Sequence, residues 1–68
     1  MKYTEFRDTI RDELIRHRDG KTWKELRDEL NLPYRSPCPE WVGQLEKDIS
    51  LDRSEKRGNA FIWKLHHV

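Results

Sequence analysis

The stretch Thr22-Trp23-Lys24-Glu25-Leu26-Arg27-Asp28-Glu29-Leu30-Asn31-Leu32 decides how the rest of the chain is read. Thr22 and Glu25 stand three apart at its start. That is the spacing of a capping box, in which the hydroxyl serves one free amide of a helix and the carboxylate reaches back to the cap. Trp23, Leu26 and Leu30 then recur at i, i+3 and i+7, the period of an amphipathic helix. Asn31 and Pro33 end the helix near Leu30, because proline disfavours helical geometry in the residue before it.

On the N-terminal side, residues 4–18 predict a helix. Phe6, Ile10 and Leu14 are spaced at i, i+4 and i+8, with Tyr3 and His17 continuing the stripe. The positions between them are nearly all charged, and Gly20 suits a left-handed C-terminal cap. On the C-terminal side, Ser36-Pro37-Cys38-Pro39-Glu40-Trp41-Val42 opens a third helix over residues 37–47. Proline is tolerated in a first turn, whose amides have no helical partner. Ser36 is the expected N-cap. Cys38, Val42, Leu45 and Ile49 form the stripe, Cys38 as a buried small apolar residue, with Trp41 at its edge. Gly43 either permits a close approach or is tolerated without a role. Ile49 and Leu51, then Phe61, Trp63 and Leu65, alternate with polar or small residues around the polar stretch 53–59. This predicts an antiparallel hairpin with a long loop. The expected core is Leu26, Leu30, Val42, Leu45, Phe61 and Trp63.

Composition bounds what such a chain does. Its 68 residues form a single domain, 1–68. Charged residues make up 40% and hydrophobic ones 34%, so the core is thin and leaves no room for a deep catalytic cleft. No catalytic constellation is present, and the expectation is a protein that is not an enzyme and uses no cofactor. A net charge of +1 and the periodic apolar residues argue against disorder. The lone Cys38 rules out an intramolecular disulfide. His17, His66 and His67 lack partners at zinc spacing, so no metal site is expected. The longest apolar run, Ala60-Phe61-Ile62-Trp63, is far short of a membrane span. Residues 1–9 carry no secretory h-region. The expected location is intracellular, cytoplasmic or nuclear, with no membrane partner.

Helix, helix, short turn, helix and hairpin, in this order, resemble the winged helix-turn-helix superfamily. The likeness rests on the 22–32 stretch as the first helix of the motif, Cys38 to Lys47 as the second, and the hairpin closing with Phe61-Ile62-Trp63-Lys64-Leu65 as the wing. It implies an α+β fold of three helices followed by a β-hairpin wing, with Gly20-Lys21-Thr22 adding a short third strand. It also implies a small DNA-binding regulator of transcription acting on double-stranded DNA, the third helix in the major groove and the wing on phosphate or minor groove. The residues carried over are Ser36, Glu40, Gly43, Gln44 and Lys47 on the outward face of the third helix. Arg53, Lys56 and Arg57 belong to the wing, and Arg35 stands ahead of the helix. Gln44, Glu40 and Lys47 are the candidates for base edges, and the wing cations for phosphates.

The charge pattern departs from that picture. Residues 33–48 carry Arg35 and Lys47 against Glu40, Glu46 and Asp48, a net of −1, where phosphate neutralisation favours a positive helix. Either the domain dimerises, or it works beside another DNA-binding surface, or it is a winged-helix protein-interaction module that does not bind DNA. Trp41 is the candidate for a dimer or partner interface. An apolar patch centred on Trp41 would mark a protein partner. A continuous positive band from Arg35 through the wing would mark DNA.

Overall fold

The capping box forms as its spacing requires. In the computed structural model, which describes residues 1–66, Glu25 N donates to Thr22 Oγ1 at 3.3 Å and Thr22 N donates to Glu25 Oε1 at 2.9 Å. His67 of the terminal histidine pair lies outside the described residues. The element order is α1 (Tyr3–Arg16), β1 (Lys21–Thr22), α2 (Trp23–Leu30), α3 (Pro39–Asp48), β2 (Leu51–Arg57) and β3 (Ala60–Leu65). Thr22→Ala is expected to cost about 1 kcal/mol, through loss of the hydroxyl to an otherwise unpaired amide. Thr9→Ala on α1 serves as control, and equal shifts of the two melting curves would place the cap elsewhere.

The three helices accompany one antiparallel sheet in the order β1-β3-β2. Lys21 and Thr22 pair with Trp63 and Ile62, so the short strand ahead of α2 docks on the last strand of the hairpin. Phe6, Ile10 and Leu14 of α1 meet Leu26, Leu32, Val42, Leu45, Leu51 and Trp63 in one core. The aromatic residues give this thin core its volume. Phe6 lies 5.0 Å from Trp41, 6.0 Å from Tyr34 and 6.2 Å from Trp23, and Trp23 lies 5.2 Å from Trp63, between ring centroids. Tyr3 OH donates to Asp48 Oδ2 at 2.8 Å and ties the start of α1 to the end of α3. Burial, and then that hydrogen bond, push the phenol up to about 12.

Four details differ from the sequence reading. The third helix begins at Pro39, with Cys38 as its N-cap in extended geometry (φ −71°, ψ 122°). Cys38 precedes a proline and is held out of the helical region for the same reason that ends α2. It is therefore exposed rather than part of the core. The hairpin has no long loop: Arg57 pairs with Ala60, and Gly58-Asn59 turns the chain, Gly58 at φ +65°. Phe61 is 41% exposed and Leu30 only half-buried. Helix α1 stops at Arg16 rather than 18. His17 leaves helical geometry there, and its carbonyl accepts from Gly20 N at 2.9 Å.

An ion network centred on the buried pair Glu13 and Lys21 ties α1 to β1 and α2. Lys21 Nζ donates to Glu13 Oε2 at 2.8 Å and to Glu29 Oε1 at 2.6 Å, and Arg16 donates to Glu13 Oε1 at 2.6 Å. The Glu13 side chain is 7% exposed, that of Lys21 10%. The hydrogen bonds from Lys21, and then from Arg16, hold the Glu13 carboxyl below the usual carboxylate range. A carboxyl depressed in the folded state lends stability that is fully present above its ordinary value and is lost as pH falls through its folded one. Glu25, Asp48 and Asp52 are depressed likewise. Glu13→Gln is therefore expected to lower the melting temperature at pH 7 and to shallow, without abolishing, its decline between pH 5 and pH 3. Parallel acid limbs for the two proteins would show that Glu13 does not contribute to this decline.

Candidate functional site

The site residues named from the sequence fall into three places. Arg35 and Ser36 are exposed on the loop between α2 and α3. That loop is fixed by Trp23 Nε1 and Arg27 Nη1, which donate to the Arg35 carbonyl at 3.0 and 3.2 Å. Glu40, Gln44 and Lys47 are exposed on α3. Gln44 does not stand free, since its Nε2 donates to Asp48 Oδ1 at 3.0 Å. These two donors, Tyr3 first and Gln44 second, hold the Asp48 carboxyl below its ordinary value. The outer face of α3 thus sets Glu40, Glu46 and Asp48 against Lys47. Gly43 has open space around it, so no close approach explains it.

The hairpin carries the cations, and the structure divides them. Lys56 is paired with Phe61, and its ammonium lies 4.8 Å from the centroid of that ring. Arg57, the next residue along the strand, turns to the other face and meets Glu25 at 3.5 Å. Neighbours in a strand point to opposite sides of the sheet, so this basic pair does not act as one patch. Arg53 joins Lys56 through an irregularity. The pairing of β2 with β3 shifts between Asp52 and Glu55, and Ser54 N donates to Asp52 Oδ1 at 2.8 Å inside the shift. The bulge brings Arg53 over two rings, its guanidinium 4.9 Å from Phe61 and 5.3 Å from Trp63. Arg53 Nε is buried and makes no hydrogen bond.

Two residues that the sequence reading passed over complete this place. Phe61 was assigned to the core, and Lys24 was read only as part of the capping box. Together with Trp23, Pro37, Arg53, Asn59, Ala60 and Trp63 they line a groove of about 340 Å³ between the start of α2 and the hairpin. Its lining carries two cations and no acid. On the other side of Arg53 and Phe61 a second groove, about 470 Å³, adds Glu46, Asp52 and His66 and is acidic by comparison. Trp41 does not head an exposed apolar patch. It is half-buried, with Tyr3 and Tyr34 each 5.6 Å away. Among the described residues the exposed large apolar ones are Met1, Ile15 and Phe61.

Among the described residues no three His, Cys, Asp or Glu side chains gather as a metal site. No helix among them is long and apolar enough to cross a membrane. No protein-family model, curated protein or solved structure matches the chain.

Proposed function

We propose that the chain is a winged-helix DNA-binding domain, with α3 directed to the major groove and the β2–β3 hairpin along the backbone. The order of elements and the docking of β1 on β3 support the winged-helix reading. The observation that carries the DNA reading is the hairpin face on which Arg53 and Lys56 are held over the exposed Phe61 ring. Ring contact reduces the freedom of both side chains, so less order has to be imposed when they meet a phosphate.

On this reading the hairpin supplies most of the affinity. Glu40 can accept from cytosine N4, Lys47 can donate to guanine, and Gln44 offers its carbonyl oxygen while its amide is engaged with Asp48. The three acids around Lys47 weaken the attraction of α3 to phosphate, so non-specific affinity is low and falls with salt.

The test is a fluorescence titration of random duplex DNA at two salt concentrations. Lys56→Ala is expected to weaken binding on all sequences alike and to lower the slope of log affinity against log salt by about one. Arg57→Ala, which faces away and pairs with Glu25, should change both much less. Equal effects would refute the division of the hairpin into two faces. The acidic outer face of α3 favours a second reading, a docking module for a protein. No binding to any duplex at low salt would overturn the duplex reading.

A further inference from the structure

We propose that the groove lined by Trp23, Lys24, Pro37, Arg53, Phe61 and Trp63 receives an unpaired nucleobase of a DNA strand, stacked on Phe61. The proposal rests on the reading of this face as DNA-binding and gives it a substrate class: duplexes with an unpaired end or junction. An intact duplex offers a protein its phosphates and the edges of its bases. Away from its ends it offers no base face, because every interior face is covered by its neighbours in the stack. Phe61 is a ring 41% exposed, and duplex phosphate is a poor cover for apolar surface. The surface that matches such a ring is the π-face of a base released from the stack.

The surroundings fit that occupant. The groove holds about 340 Å³, near the lower end of the roughly 300–1,000 Å³ of small-ligand clefts, room for one base rather than for a helix or strand of a partner. Trp23, Pro37 and Trp63 supply further apolar wall. Lys24 and Arg53 line the same groove without an opposing acid. Arg53 and Lys56 lie over Phe61 at 4.9 and 4.8 Å, and a base stacking on the ring takes the place of one of them and leaves that cation to the phosphate of the strand. Arg53 Nε is buried and has no hydrogen-bond partner, so this side chain is held by its ring contacts rather than by hydrogen bonds through that atom. The acids of α3 lie outside this groove, which explains how a chain with so acidic a helix still presents a place for a polyanion.

The test uses the whole chain and four fluorescent probes: a blunt duplex, the same duplex with a short single-stranded overhang, the overhang strand alone, and that strand as RNA. The overhang duplex is expected to bind about ten-fold more tightly than the blunt one, the worth of one or two stacked bases. Phe61→Leu keeps an apolar side chain but removes the π-face, and should bring the ratio of overhang to blunt affinity toward one. Phe61→Trp should keep it. Because Phe61 is exposed, circular dichroism should find both variants folded. Blunt and overhang duplexes bound equally, or a ratio indifferent to Phe61→Leu, would overturn the base site and leave the duplex reading standing. Binding of the single strand with none of the blunt duplex would uphold the base site and overturn the major-groove reading. Tighter binding of the RNA strand than of its DNA counterpart would overturn the assignment to DNA. Absence of binding to every probe would overturn both proposals.

Discussion

Leu45→Ala is expected to lower the stability of the domain by roughly 2–5 kcal/mol, the cost of a cavity that the surroundings fill only in part. Leu45 has no exposed surface and lies in the core between α3 and the sheet, beside Val42, Leu26 and Trp63. A domain of this size has on the order of 3–10 kcal/mol in total, at about 0.05–0.15 kcal/mol per residue. The variant is thus expected to be partly or wholly unfolded at 37 °C. Two comparisons fix the interpretation. Leu30→Ala, at a half-buried position, should cost less. Phe61→Ala should change stability little, since its ring is largely outside the core. A Leu45→Ala melt close to that of the parent would mean that the wrong face of α3 has been assigned to the interior.

The helices were legible because their signals are local. A capping box, a 3.6-residue stripe and a proline act over a few residues, and the structure follows them at α1 and α2. The start of α3 was misjudged although its signal is equally local. The restriction that proline places on its predecessor holds at Cys38 as it does at Leu32, and it moves the cap from Ser36 to Cys38. The hairpin shows what periodicity alone leaves out. Phe61 does lie on the same face of β3 as Trp63, as alternation requires. No buried residue of the core covers Phe61, however: Arg53 and Lys56 lie over its ring, which stays 41% exposed. Ile62 points to the opposite face and is buried because the turn at Gly20 lies against it.

The candidate site was legible only in its parts. Arg53, Lys56 and Arg57 were all named from the sequence, but a bulge and a tight turn decide which of them act together. Neither feature has a mark in the hydrophobic pattern. The turn residues Gly58-Asn59 are the signal that was available, since a two-residue turn there sets Lys56 opposite Phe61. Lys24 and Pro37 meet the hairpin only through the packing of Trp23 on Trp63, a contact across forty residues of chain that no local pattern encodes. The Glu13–Lys21 bridge escaped notice for a related reason. Glu13 sits among the charged neighbours of α1 that read as a solvated face, and Lys21 entered only as part of the short strand Gly20-Lys21-Thr22.

The same substitution at the three glycines should give three different outcomes, and Gly20→Ala should be the most damaging. Gly20 has φ +89°, and a Cβ built there would stand 2.5 Å from Ile62 Cγ2 and 2.8 Å from the Trp63 carbonyl oxygen. The first of these atoms belongs to a β-branched side chain with little rotamer freedom, and the second is backbone. Neither can step aside without moving β3 away from β1, which would break the pairs Lys21↔Trp63 and Thr22↔Ile62. Strain at a positive φ costs on the order of 1–3 kcal/mol, and forcing atoms into a filled space about as much again, so roughly 2–6 kcal/mol is expected. Gly58→Ala shares the positive φ, at +65°, but meets nothing within 4 Å, and should cost only the backbone strain. Gly43→Ala lies inside α3 with the same open space and an ordinary helical backbone. It should stabilise the domain by about 0.5–1 kcal/mol, the helix preference of alanine over glycine. Thermal melts of the three variants test the order directly. If Gly20→Ala proves no worse than Gly58→Ala, the close approach of the α1–β1 turn to β3 is wrong. The burial of Ile62 on the outer face of the sheet would then have to be abandoned with it.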